Sequence, residues 1–204
     1  MYVEGSSELL HGAHLRTLIK ACPTRYSLQV WGLVYSMSRD GVSRGRFLET
    51  LSTLPCSLIV FRDMKKAVFG GFASAPFNPN PAQGYYGSGE CFVFRVHHPA
   101  GSAPAGGRVD SDQPPQGSVQ VFRWRGADEF FMITGESYLA MGGGSGYAWQ
   151  VDSAFRYGTS TACTTFESPI LAGARNFELN DLEVWAPIHV RGQHTHTALH
   201  KEQQ

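Results

Sequence analysis

A short apolar run limits the possible folds of this chain more than any other feature. Ser57–Phe61 has four consecutive large apolar side chains, which is typical of a strand covered on both faces. A polar turn follows, and we predict that Ala67–Ala73 returns beside the run as its hairpin partner. Gly70 and Gly71 inside that second strand predict a β-bulge or a close approach of another backbone.

The rest of the chain is divided into short segments by 23 glycines and 11 prolines. Helical spacing of apolar residues occurs at Leu9–Ile19 and at Phe47–Leu54, and a proline ends each segment. Val119–Trp124 alternates apolar and polar residues as a half-exposed strand does. Further strands are predicted at 28–36, 91–96, 129–134, 138–141, 147–151 and 182–190. The pattern predicts an α+β fold, mainly antiparallel β, with the strand spacing of a sandwich or a barrel.

Composition predicts three regions along the chain. Residues 1–24 form an N-terminal helical lead-in, residues 25–190 the main domain, and residues 191–204 a disordered polar tail. Within the domain, residues 99–118 have one valine and no aromatic residue. Because such a segment cannot bury enough apolar surface to offset the entropy lost on ordering, we predict a flexible loop at 99–118.

Charge and cysteine content narrow the possible partners and the compartment. Lysine plus arginine equals aspartate plus glutamate, at 17 each, so the basic surplus that phosphate binding requires is lacking and no nucleic-acid partner is expected. The polar start and the lack of a long apolar run predict neither a signal peptide nor direct membrane insertion. Four widely spaced cysteines without a Cys-x-x-Cys pair favour reduced thiols in a cytoplasmic protein over two disulfides.

Six motifs resemble the TLDc domain family and occur in the order found there. Together they span about residues 25–188. They are Trp31–Ser43, Val68–Ser74, Tyr85–Phe94, Met141–Gly146, Cys163–Phe166 and Leu182–Trp185.

The resemblance implies a fold and a type of function. The implied fold is a two-layer antiparallel β-sandwich flanked by a few short helices. The implied function is non-catalytic: binding of a protein partner, namely the cytosolic sector of the vacuolar proton-pumping ATPase, together with protection against oxidative stress. No enzyme activity, cofactor or metal is expected. The protein would be cytoplasmic and would reach lysosomal or vacuolar membranes through its partner.

Glu90 is the first candidate functional residue. It follows Gly87 and Gly89 and precedes an apolar strand, so its carboxylate is expected to accept backbone N–H bonds and fix a loop. Contact with a partner is the second interpretation. A catalytic role would need another titratable group, for which Asp152, Asp181 and Glu183 are candidates by elimination.

A second candidate is the glycine-rich run Gly142, Gly143, Gly144, Ser145 and Gly146. Exposed backbone N–H groups can bind anions, but the P-loop spacing and its Lys-Ser/Thr pair are missing. We therefore predict a turn in which glycines adopt positive φ. As an exposed loop it is also a candidate partner-binding surface.

Three further positions carry alternative hypotheses. Phe77 and Asn78 begin a proline-stiffened turn, where an exposed aromatic side chain would lose little entropy on binding. Cys163 lies in a loop-like stretch and is the best candidate for a redox-active thiol, whereas Cys91 opens an apolar strand and is expected to be buried and inert. The histidines of the tail, at 194, 196 and 200, are interpreted as solvated residues and not as metal ligands.

The sequence leaves three functional hypotheses open. The first is a non-catalytic module that binds a protein partner. The second is a cysteine-based peroxide scavenger or redox enzyme. The third is a structural component of a larger assembly, for example a cytoskeletal one.

Overall fold

The computed structural model describes residues 3–77, 84–97 and 118–188. Asn78, residues 99–117 of the predicted loop and the whole predicted tail lie outside the described residues. The helices are α1 (Gly12–Ala21), α2 (Thr24–Ser27), α3 (Met37–Asp40) and α4 (Arg44–Ser52). The strands are β1 (Val3–Glu4), β2 (Val30–Ser36), β3 (Ser57–Asp63), β4 (Val68–Ala73), β5 (Phe92–His97), β6 (Ser118–Arg123), β7 (Met132–Thr134), β8 (Tyr138–Met141), β9 (Trp149–Asp152), β10 (Tyr157–Thr159) and β11 (Asn176–Ile188).

The long strand β11 belongs to both sheets of a sandwich. Sheet A has the order β1-β2-β11-β3-β4-β5-β6, and all its pairs are antiparallel except β1 with β2. Sheet B has the order β7-β8-β9-β10-β11 and is antiparallel throughout. The first three residues of β11 pair with β10, pairing with β3 begins at Leu179, and the register with β3 shifts between Leu179 and Asp181. One strand therefore joins the two layers, and the fold is α+β and mainly β.

Strict alternation along the strands of sheet A fills a core on each of its faces. In β3, Ile59 and Phe61 point towards sheet B, and the Phe61 ring lies 4.8 Å from that of Trp149. Leu58 and Val60 point to the opposite face, where α1 packs. The apolar run at 57–61 is thus covered on both sides, as its sequence predicts.

The N-terminal segment supplies the outer layer of sheet A. Leu15, Leu18 and Ile19 on one face of α1 are buried against Phe72 and Phe94 of the sheet. Helical spacing explains this, because residues three and four apart share a face. Residues 9–22 are therefore packed into the same structure as the strands that follow.

Gly71 allows the two sheets to approach closely. A β-carbon at this position would lie 2.7 Å from Met141 Sδ of sheet B and 3.0 Å from the Phe92 carbonyl oxygen. The pairing of β3 with β4 runs without a register shift. Of the two predicted explanations for Gly70-Gly71, close approach is confirmed and the bulge is not.

Candidate interaction surface

Four aromatic side chains form a surface cluster at the β7 end of sheet B. We call Tyr85, Phe130, Tyr138 and Tyr147 the aromatic patch. The Phe130 ring, which is 40% exposed, lies 4.7 Å from the Tyr85 ring, and the rings of Tyr138 and Tyr147 are 6.0 Å apart. The three tyrosines are half-buried, so each presents part of an apolar ring to solvent.

The register of sheet B places Tyr138 on its outer face. Leu139 and Met141 of the same strand point into the core between the sheets, so alternation directs Tyr138 outward. Tyr138 pairs with Asp152 of β9, which extends the same face towards β10. The patch is therefore one end of a face of sheet B that no described helix covers.

The hydroxyl groups of the patch are neutral at neutral pH. Partial burial raises the pKa of Tyr85 and of Tyr147 above the ordinary tyrosine value. A hydrogen bond with Tyr147 is the main cause of the raised pKa of Tyr138. The three phenols can therefore act as uncharged hydrogen-bond donors and acceptors beside their rings.

The predicted glycine turn lies directly beside the patch. Gly142 and Gly144 have φ of 84° and 78°, so the predicted positive φ is found at these two positions. Gly143 and Gly146 are confined by crowding instead, because their β-carbons would lie 2.5 Å from Phe130 Cβ and 2.2 Å from Thr161 Oγ1. The loop is thus close-packed against its neighbours, and Gly143 packs directly against Phe130.

A hydrogen-bond network fixes the glycine turn. Thr165 Oγ1 donates to Asp128 Oδ1 at 2.6 Å and accepts from the Gly143 N–H at 2.9 Å. The same Asp128 oxygen accepts from the Phe130 N–H at 3.2 Å. Ser145 N–H donates to Thr164 Oγ1 at 3.1 Å. The Thr165 bonds connect the turn to the chain segment that carries Phe130, and the Ser145 bond holds the other side of the turn to Thr164, so the patch is preorganised.

Glu90 has a different role from the one its sequence context predicts. Its carboxylate accepts both hydrogen bonds of a bidentate ion pair with the Arg25 guanidinium of α2. Among the described residues no backbone N–H group donates to this carboxylate, so the predicted backbone donors are not found there, and α2 brings a guanidinium to the loop instead. That hydrogen-bonded ion pair holds the pKa of Glu90 below its usual range. Gly89 beside it packs on Trp124, and Gly87 on Met132.

Phe77 is buried and cannot serve as the exposed contact residue that its turn suggested. Its ring lies 6.5 Å from that of Phe47 on α4, inside the core between the sheets. That interpretation of Phe77 was wrong, because the apolar ring turns inward from its loop. Asn78, which follows it, lies outside the described residues.

All four cysteines are free and buried. Cys163 is 3% exposed, with its thiol towards the Gly143 carbonyl oxygen at 3.5 Å. The exposure that made Cys163 the preferred redox candidate is therefore missing. Burial raises the pKa of Cys91, as expected for an inert thiol, and raises that of Cys56 to about 12.

The carboxylates considered as catalytic partners of Glu90 have structural partners. Asp152 accepts from the N–H groups of Arg156 and Tyr157, and Asp181 forms an ion pair with Arg62. Glu183 accepts from Ser7 Oγ at 2.5 Å, from the Glu8 N–H at 2.6 Å and from Trp185 Nε1 at 3.0 Å.

Within the described ranges, no group of three or more histidine, cysteine or acidic side chains could hold a metal ion. The part of the chain with assigned structure contains no helix long and apolar enough to cross a membrane.

The aromatic patch contains residues that the sequence did not single out. The segment 129–134 was predicted to be one strand, but β7 begins at Met132, so Phe130 belongs to a loop and is exposed. The signal for it was present in Gly126-Ala-Asp128, a turn-forming sequence just before the aromatic pair. Tyr85 and Tyr147 lie far apart in sequence and meet only through the pairing of Tyr86 with Met132 and of β8 with β9.

The architecture defines a class: a two-sheet β-sandwich with a helix on one face and a preorganised aromatic loop surface at one end. Comparison with known protein families gives a match to the TLDc domain over residues 3–187. The chain belongs to the TLDc domain family. The match includes the N-terminal segment that packs on sheet A.

Relatives with the same domain are much longer proteins. The chain is 33% identical over 182 residues to oxidation resistance protein 1 of Rattus norvegicus, covering 88% of this chain and 19% of that protein. It is 31% identical over 182 residues to nuclear receptor coactivator 7 of Homo sapiens, covering 88% of this chain and 17% of that protein. The chain thus spans less than a fifth of the length of these two relatives.

Proposed function

We propose that this chain is a non-catalytic module that binds a protein partner through the aromatic patch. The observation that carries the proposal is the exposed Phe130 ring, which lies against the Tyr85 ring on a loop fixed by Asp128 and Thr165. Tyrosine is enriched at binding hot spots, and phenylalanine is enriched in protein–protein interfaces. Because the loop is already ordered, docking costs little conformational entropy.

The partner we propose is the soluble, cytosolic sector of the vacuolar proton-pumping ATPase. Support for this choice is the resemblance to the TLDc family, whose members are linked to that pump. On this proposal the protein works in the cytoplasm and reaches lysosomal or vacuolar membranes through the pump. Its contribution to oxidative-stress protection, supported by the similarity to oxidation resistance protein 1, would follow from that contact.

The test uses the purified chain and the purified soluble sector of the pump. We expect the two to co-elute in size-exclusion chromatography and the chain to change the rate of ATP hydrolysis. Phe130→Ala should weaken both effects by about tenfold or more, as truncation of an aromatic hot-spot residue does. Ile170→Ala is the matched control, since Ile170 is also 40% exposed but lies outside the patch. Co-elution that is lost equally in both variants, or never observed, would reject the proposal.

A cellular assay separates this proposal from a cysteine-based scavenger. In cells that lack the protein, survival under peroxide should be restored by the wild-type chain and by Cys163→Ser. Phe130→Ala should restore it poorly, because protection follows from partner binding. The opposite pattern, with Cys163→Ser inactive and Phe130→Ala active, would favour the redox enzyme.

A further inference from the structure

A recess lies on the same outer face of sheet B, beyond the aromatic patch. Its volume is about 510 Å³, and Gly158 and Phe177 are among the residues that line it. We call it the Tyr157 groove. The side chains that line it come from three neighbouring strands: Gln150, Asp152, Tyr157, Thr159, Asn176 and Glu178.

A tyrosine ring and a carboxylate stand next to each other in this groove. Tyr157 of β10 and Glu178 of β11 are direct cross-strand partners, so their β-carbons are about 5 Å apart and their side chains leave the same face. Tyr157 is 55% exposed. A cation placed between them would face a ring on one side and a negative charge on the other.

The groups needed to receive a ligand are unoccupied within the described part of the chain. None of the three ion pairs formed there includes Glu178, and none of the three arginine–ring contacts includes Tyr157. Asp152 differs, because it already accepts from two backbone N–H groups of the β9–β10 turn.

We propose that the Tyr157 groove binds an arginine side chain of a partner protein. A planar guanidinium can stack on the Tyr157 ring while its N–H fork donates to the Glu178 carboxylate. The Asn176 amide supplies a further acceptor for the remaining N–H groups. A lysine ammonium has no planar face to stack and cannot donate in a fork, so the geometry favours arginine.

Nuclear magnetic resonance of the ¹⁵N-labelled chain tests this without any partner protein. The probe is N-acetylarginine methylamide, and the matched control compound is N-acetylcitrulline methylamide, whose side chain has the same shape but no charge. We expect the arginine compound to shift the amide signals of Tyr157, Thr159 and Glu178. The citrulline compound should leave them in place.

Variants show whether the proposed contacts cause the shifts. Glu178→Gln and Tyr157→Ala should each weaken binding by about fivefold, whereas Glu49→Gln on the exposed side of α4 should leave it unchanged. Glu178→Gln keeps the size of the side chain, so it tests the charge even if Tyr157→Ala disturbs the fold.

Three results would overturn the proposal: equal amide shifts with both compounds, shifts only at other residues, or no shifts at millimolar concentration of the arginine compound. The proposal would also be overturned if methyl α-D-glucopyranoside shifted the same amide signals and the arginine compound did not, because that result would indicate a sugar site. Because the pump is absent from this test, its outcome is independent of the proposed function.

Discussion

At the scale of single residues, Gly142 combines two constraints that can be separated by experiment. Its φ is 84°, and a β-carbon there would lie 2.4 Å from Cys163 Sγ and 3.2 Å from the Ala148 backbone nitrogen. The positive φ is unfavourable for any L side chain. The short distances are unfavourable even for a methyl group, because the Ala148 backbone cannot move aside. Gly126 has a similar φ of 88° but open space around its β-carbon position.

We predict that Gly142→Ala lowers the free energy of unfolding by about 3 kcal/mol and Gly126→Ala by about 1 kcal/mol. Urea denaturation followed by tryptophan fluorescence measures both. The difference between the two variants reports the steric contact with Cys163 and Ala148. Equal losses would mean that backbone conformation alone explains why glycine occupies position 142.

At the scale of elements, α1 contributes the side chains that cover the outer face of sheet A. Leu18 has no exposed surface and packs with Phe72 and Phe94 in the core beneath the helix. Leu18→Ala should lower the free energy of unfolding by about 3 kcal/mol, because it removes buried methyl groups and leaves a cavity. Leu28→Ala, at a site 80% exposed, should change it by less than about 0.5 kcal/mol. Thermal unfolding measures both variants. A Leu18→Ala variant as stable as Leu28→Ala would contradict this account.

Elements with a strong local pattern could be predicted from the sequence, and elements that depend on distant pairing could not. The helices around Leu18 and Phe47 and the buried strand at 57–61 have periodic or continuous apolar residues. The first half of β11, Asn-Phe-Glu-Leu-Asn-Asp181, contains residues that disfavour strands. It is a strand because β10 and β3 supply its hydrogen-bond partners.

The candidate surface was predictable to a similar, limited degree. The glycine turn at 142–146 could be located because glycine marks backbone that other residues cannot adopt. The aromatic patch could not, since Tyr85, Phe130 and Tyr147 come together through sheet pairing and carry no shared motif. Phe77 shows the opposite error: an aromatic residue next to a proline-rich turn is buried when the core lies within reach of its ring.

At the scale of the whole molecule, packing on both faces of sheet A encloses every cysteine. Cys22 and Cys56 are buried in the core beneath α1, and Cys91 and Cys163 in the core between the sheets. Burial raises the pKa of Cys22 and Cys91, and that of Cys56 to about 12. Since the thiolate is the reactive form, a thiol with a raised pKa is almost entirely unreactive at neutral pH. Reaction therefore requires that the structure opens first.

We predict that all four thiols react with Ellman's reagent at a rate set by opening of the fold. In native buffer the reaction should be slow, and in denaturing urea all four cysteines of the chain should react at once. Gly142→Ala and Leu18→Ala should speed the native reaction in proportion to their loss of stability, because labelling then follows the population of the open form. Cys163→Ser identifies the contribution of that thiol. A fast native phase that disappears in Cys163→Ser would show local access to Cys163, and would make the cysteine-based hypothesis the stronger one.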